Sequence, residues 1–136
     1  MEMPMFTKIR VAAVLAATTS LLAIACASAA DTKSAAFPVG SYQNQQNIVI
    51  FKPDGTFVGT TPKGEDWVKG TYTHTGNAAT VVDTWEGDPI KGENCMGKVG
   101  RYTWTKTGKV LTFNVVEDPC EGRKHGTDKV AWTQIK

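Results

Sequence analysis

Cysteines, histidines and carboxylates are the side chains here whose types could support chemistry, and their spacing limits what that chemistry is. Cys95 and Cys120 are separated by about 25 residues, far beyond the C-x-x-C spacing of a redox dithiol. An even pair in an oxidising compartment reads as a disulfide, and closing such a loop stabilises by roughly 3 kcal/mol in the chain-entropy model. A metal or redox pair is the functional alternative. His74 and His125 fall on different segments with no H-x-x-x-H spacing, so each reads as a surface histidine and no metal site is expected. Asp83, Glu86, Asp88 and Glu93 flank one long irregular stretch and offer oxygens suited to calcium. Their spacing is not that of an EF-hand loop, and solvated loop carboxylates are the plain alternative. The chain carries no G-x-S-x-G elbow, no H-E-x-x-H and no glycine-rich phosphate loop, so neither a catalytic set nor a cofactor is expected.

Two further sets bear on binding. Tyr42, Phe51, Phe57, Tyr72, Tyr102, Trp104 and Phe113 either fill a core or line a cavity for an apolar or planar ligand. Arg101 sits mid-strand beside Tyr102. Facing inward it would need a partner and could anchor a carboxylate; facing outward, beside Thr103 and Thr105, it is simply solvated. The polar company of that face favours the outward reading.

The elements that must position these residues centre on Lys98–Val116, where residues alternate with period two and break once at Thr107-Gly108. A two-residue loop there sets Trp104 opposite Leu111, Tyr102 opposite Phe113 and Gly100 opposite Val115. The other face pairs Thr105 with Val110, Thr103 with Thr112 and Arg101 with Asn114. One face is then aromatic and aliphatic, the other mostly polar. Pro53-Asp54-Gly55 reads as a three-residue hairpin loop pairing Phe51 with Phe57, and Gly76-Asn77 as a turn setting Tyr72 against Val81. Asp118-Pro119-Cys120-Glu121 reads as a helix start with Asp118 as the cap, and Gly126 would end the helix. The expected last strand is Lys129–Ile135. The sum is an all-β chain of eight short antiparallel strands with one short helix before the last. Tight hairpins between sequence neighbours favour an up-and-down barrel over a Greek-key sandwich. A barrel of this size holds side chains or one small ligand.

Residues 1–30 read as a signal peptide. Lys8 and Arg10 are the positive start, Val11–Ala25 the apolar run, and Ala27-Ser28-Ala29-Ala30 the small-residue cleavage site. The apolar run is too short for an ordinary membrane span. Leu22-Ala23-Ile24-Ala25-Cys26 also matches a lipoprotein box, so a membrane anchor is expected only if Cys26 is lipidated. Residues 31–36 read as a flexible leader, and the expected location is the periplasm or outside the cell. The net charge of +2 becomes +1 once Lys8, Arg10 and Glu2 are removed. No basic cluster points to nucleic acid, and oligomeric state is open.

Gly40-Ser41-Tyr42 is similar to the glycine-x-tryptophan motif of lipocalins, with tyrosine in the tryptophan position. Gly70-Thr71-Tyr72 and Gly100-Arg101-Tyr102-Thr103-Trp104 repeat the pattern, and Val116–Arg123 resembles the segment before the last strand of small secreted bacterial lipocalin-like (calycin-like) proteins. The resemblance implies a lipocalin-like barrel over 37–136, with Arg123 or Lys129 as the basic residue covering Tyr42. It implies non-catalytic binding of a small, largely apolar ligand, with Tyr42, Phe57, Tyr72, Tyr102, Trp104 and Phe113 as the contacts. A protein-interaction or inhibitor module acting through Trp85 and the Trp67 end is the alternative, and a barrel cyclase or isomerase a further one. The latter needs an ionisable group in the interior.

Overall fold

The structure is a computed structural model and describes residues 36–136. The expected signal peptide, Cys26 and residues 31–35 of the leader lie outside the described residues. The strands are β1 (Gly40–Asn44), β2 (Asn47–Phe51), β3 (Thr56–Thr60), β4 (Asp66–Thr75), β5 (Ala78–Glu86), β6 (Val99–Thr107), β7 (Val110–Glu117) and β8 (Ala131–Gln134). One helix, α1 (Glu121–Thr127), stands between β7 and β8, and a single 3-10 turn (Lys91–Glu93) lies in the β5–β6 connection. Every strand pairs antiparallel with its sequence neighbour and β8 pairs back onto β1, which makes a closed eight-stranded up-and-down barrel.

Local sequence explains the hairpins. Gly55 takes a positive φ in the Pro53-Asp54-Gly55 loop, and Phe51 stands opposite Phe57 as the three-residue loop requires. The Gly76-Asn77 turn brings Tyr72 against Val81. The β6–β7 hairpin differs from expectation, because its loop is Gly108-Lys109 and Thr107 pairs with Val110. Trp104 therefore faces Phe113, Tyr102 faces Val115 and Thr103 faces Asn114, while Arg101 meets Glu117 beyond a bulge. Gly108 has φ 59°, and placing that residue first in the turn suits the strand twist better than placing threonine there. Moving the turn by one residue shifts each partner by two, so every side chain keeps its face.

Alternation sends eight rings inward: Tyr42, Phe51, Phe57, Tyr72, Tyr102, Trp104, Phe113 and Trp132 are all buried. Phe37 precedes β1 and closes the end of the barrel where the chain enters. Its ring stacks on Tyr72 with centroids 4.5 Å apart and sets its edge against Phe51 and Trp104 at 5.2 and 5.9 Å. At the opposite end each of three strand pairs carries one extra residue: Trp67 in β4, Thr84 in β5 and Val116 in β7. Such bulges bend and twist a barrel rim, and here they lie at the end where the long connections gather.

Candidate functional site

The end opposite Phe37 opens into a cavity of about 760 Å³, within the range of small-molecule sites. Its wall is built from inward positions of β2 to β8: Val49, Phe51, Phe57, Val81, Phe113 and Trp132. Trp67, Trp85 and Ile90 stand at the mouth from one side, and Gly122, Arg123 and Thr127 of α1 and its flank from the other. Among the sequence candidates, Phe51, Phe57, Tyr102 and Phe113 line this cavity. Tyr42, Tyr72 and Trp104 do not. They are packed in the closed half, where the Tyr42 hydroxyl donates to Pro38 O at 2.8 Å, the Tyr72 hydroxyl donates to Lys52 O, and Trp104 leans on Phe37. Trp132 was not among the candidates. Its alternation with Ala131 and Thr133 is the available signal, since it fixes that residue on the inward face opposite Leu111.

The mouth carries a buried charge cluster. Arg123 donates from Nε and Nη2 to the two oxygens of Asp118 at 2.7 and 2.8 Å, from Nη1 to Asp83 Oδ1 at 3.1 Å, and again from Nη2 to Lys98 O at 2.9 Å. The side chains of Arg123, Asp118 and Asp83 are 11%, 0% and 4% exposed. Asp118 also accepts from the Tyr102 hydroxyl and from the Cys120 amide. Burial works to raise the Asp118 pKa, but the Arg123 fork, the Tyr102 hydroxyl and the Cys120 amide outweigh it and hold the carboxyl below its ordinary value. Asp83 goes the other way: burial pushes its carboxyl up, and Arg123 only partly offsets that. Burial, then the bond to Asp118, pushes the Tyr102 phenol up. Gly100 admits the cluster, since a Cβ there would meet Asp118 Oδ2 at 2.6 Å and Arg123 Nη2 at 3.0 Å.

Asp118 is therefore not the helix cap. Cys120 occupies that position, its Sγ accepting from the Arg123 amide at 3.3 Å, because the Asp118 side chain is turned inward onto the guanidinium. Arg123 does not cover Tyr42, being committed to Asp118 and Asp83; Lys129 is exposed. Cys95 and Cys120 form a disulfide with Cα atoms 5.3 Å apart, tying the β5–β6 connection to the start of α1. Their sulfurs are thus not thiolate ligands, although Glu93 lies beside both and Asp83 and Glu86 lie beside Cys95. Of the four acidic residues considered for calcium, Asp83 and Glu86 come together but are engaged, Asp83 by Arg123 and Glu86 by the Cys95 amide at 2.8 Å, while Asp88 and Glu93 are exposed. Arg101 lies on the outer face, paired with Glu117 at 2.9 Å, and both side chains are solvated. His74 and His125 sit at opposite ends of the barrel, His74 against Phe37 and His125 in α1.

Among the described residues no helix is long and apolar enough to cross a membrane. Comparison with known proteins finds no matching family model, curated protein or solved structure. Fold and site on their own define a closed antiparallel barrel, sealed at one end by an aromatic plug and open at the other beside a buried carboxylate–guanidinium cluster.

Proposed function

We propose that this is an exported, lipocalin-like barrel that binds a small, largely apolar ligand without transforming it. The observation that carries this is the cavity of about 760 Å³ walled by Phe51, Phe57, Phe113 and Trp132. A barrel built only to present loops has no need of such a space, and a void of this size lined by rings loses dispersion contacts unless something occupies it. The signal-peptide pattern at 1–30 and the Cys95–Cys120 disulfide support export. An enzymatic reading would use Asp83, a buried carboxyl that lines the cavity. Its neighbours Arg123 and Tyr102 are both engaged by Asp118, and Glu86, the carboxylate beside it, accepts from the Cys95 amide. Native mass spectrometry of protein purified from its own host tests the binding reading. A co-purifying small molecule that leaves under mild activation is the expected result. An unliganded mass, together with no quenching of tryptophan fluorescence by hydrophobic probes, would remove it.

A further inference from the structure

We infer that the ligand is a lipophilic cation, an amine or quaternary ammonium whose apolar body fills the barrel and whose charged head rests against Asp83. This rests on the binding role proposed above and adds the chemical class of the ligand. Charge at the mouth is lopsided. Glu65, Asp66, Asp83, Glu86, Asp88 and Glu93 line the cavity, against Lys91 and Arg123 alone, although the whole chain has a net charge of +2. An acidic opening with low-dielectric walls concentrates cations and repels anions.

The buried cluster carries the point further. One guanidinium stands between two carboxylates, so with both ionised the cluster carries one negative charge in excess. Asp118 uses both oxygens. Asp83 gives Oδ1 to Arg123, and among the described residues no hydrogen bond reaches its Oδ2, although the residue is only 3% exposed and lines the cavity. A buried charge of this kind calls for a counter-charge, which a cationic head supplies. Arg123 offers little to an anionic head, because four hydrogen bonds already occupy its five N–H groups, which leaves Lys91 and the Trp67 indole N–H as donors on this lining. The rings of Phe57, Trp67, Tyr102 and Trp132 on the same cavity add faces that attract a cation as well as an alkyl body.

Three probes with one alkyl chain and different heads test this by calorimetry on the folded protein: decyltrimethylammonium, decanol and decanoate. The cation should bind at least tenfold more tightly than the alcohol, with decanoate weakest. Asp83→Asn should bring the cation-to-alcohol preference down towards one. A rim variant, Glu65→Gln with Asp88→Asn and Glu93→Gln, should lower cation affinity at least threefold at low salt. If Asp83→Asn does not fold, the ranking on the natural protein and the rim variant decide by the same criteria. Alcohol or decanoate binding as tightly as the cation, or a cation affinity untouched by the variants that fold, overturns the inference and leaves the apolar-binding role standing. Failure of all three probes to bind overturns both.

Discussion

Arg123 is the single cation on which two buried carboxylates depend, so its removal is the most damaging change to the cluster. Arg123→Met leaves Asp118 wholly buried without a counter-charge and should cost about 3–5 kcal/mol, read from urea denaturation at neutral pH. Gly100→Ala reaches the same cluster by steric means, pressing a methyl onto Asp118 Oδ2, and should cost about 1–3 kcal/mol in the same assay. The two acids respond to pH with opposite sign. Asp118, held low, contributes stability above the ordinary carboxylate pKa, and that stability is lost as pH falls through its folded value. Asp83, held high, costs stability above its folded pKa, and that cost fades as the group protonates on acidification. Asp83→Asn mimics the protonated state. It should make the protein more stable than the natural chain at about pH 7, with the advantage shrinking towards about pH 4, as urea midpoints at the two pH values would show. If Asp83 serves a cationic head, this is a site that gives up stability to keep a charge. The cluster was poorly legible in the sequence. Asp118-Pro119 satisfies the rules for a helix cap, and nothing in linear spacing tells that Asp83, far up the chain, meets Arg123 across the barrel.

At the scale of elements, α1 is too short to be stable alone: it has seven residues, none of them buried. It is held from both ends. The disulfide fixes its Cys120 cap, while the Val115 amide donates to Asp128 Oδ1 at 2.8 Å and the Lys129 amide to Phe113 O at 2.7 Å. A Cys95→Ala, Cys120→Ala double variant should therefore lose about 3 kcal/mol in urea denaturation. Amide exchange should quicken first in α1 and in the connection between β5 and β6, since those are the parts the bridge joins. The helix was legible in place, between Asp118 and Gly126, and only its cap was not; strands and most hairpins were legible too. Period-two alternation placed every candidate ring on the inward face, and Pro53-Asp54-Gly55 and Gly76-Asn77 set their registers through turn chemistry alone. Thr107-Gly108-Lys109 allowed two loop positions with identical faces, so pattern could not separate them and only the backbone of Gly108 did. The bulges at Trp67, Thr84 and Val116 left no mark in composition, and it is these that shape the mouth.

For the whole molecule the open question in the sequence was closure, because alternation gives each strand a face but says nothing of whether the first strand finds the last. Closure also separates the rings by depth: the sequence grouped Tyr42, Tyr72 and Trp104 with Phe57, Tyr102 and Phe113, whereas Phe37, plugging one end, draws Tyr72 and Trp104 into packed core and leaves the other set facing a cavity. The seam itself is thin. β1 meets β8 through Tyr42–Gln134 and Gln43–Thr133, against five registered pairs between β1 and β2. The residues after β8 extend it: the Ser41 amide donates to Lys136 O at 3.0 Å, and the Ile135 amide donates to Ser41 O at 2.8 Å. Each such bond has a net worth of about 0.5–1.5 kcal/mol. A chain lacking Ile135 and Lys136 should accordingly lose about 1–3 kcal/mol in urea denaturation. The loss should be local in kind as well as small in size. Amides of β1 and β8 should exchange markedly faster, while those of β4 to β6, paired on both sides over longer stretches, keep their protection. Uniform loss of protection around the whole wall would mean that the seam is no weaker than the rest, and that the barrel opens as one unit.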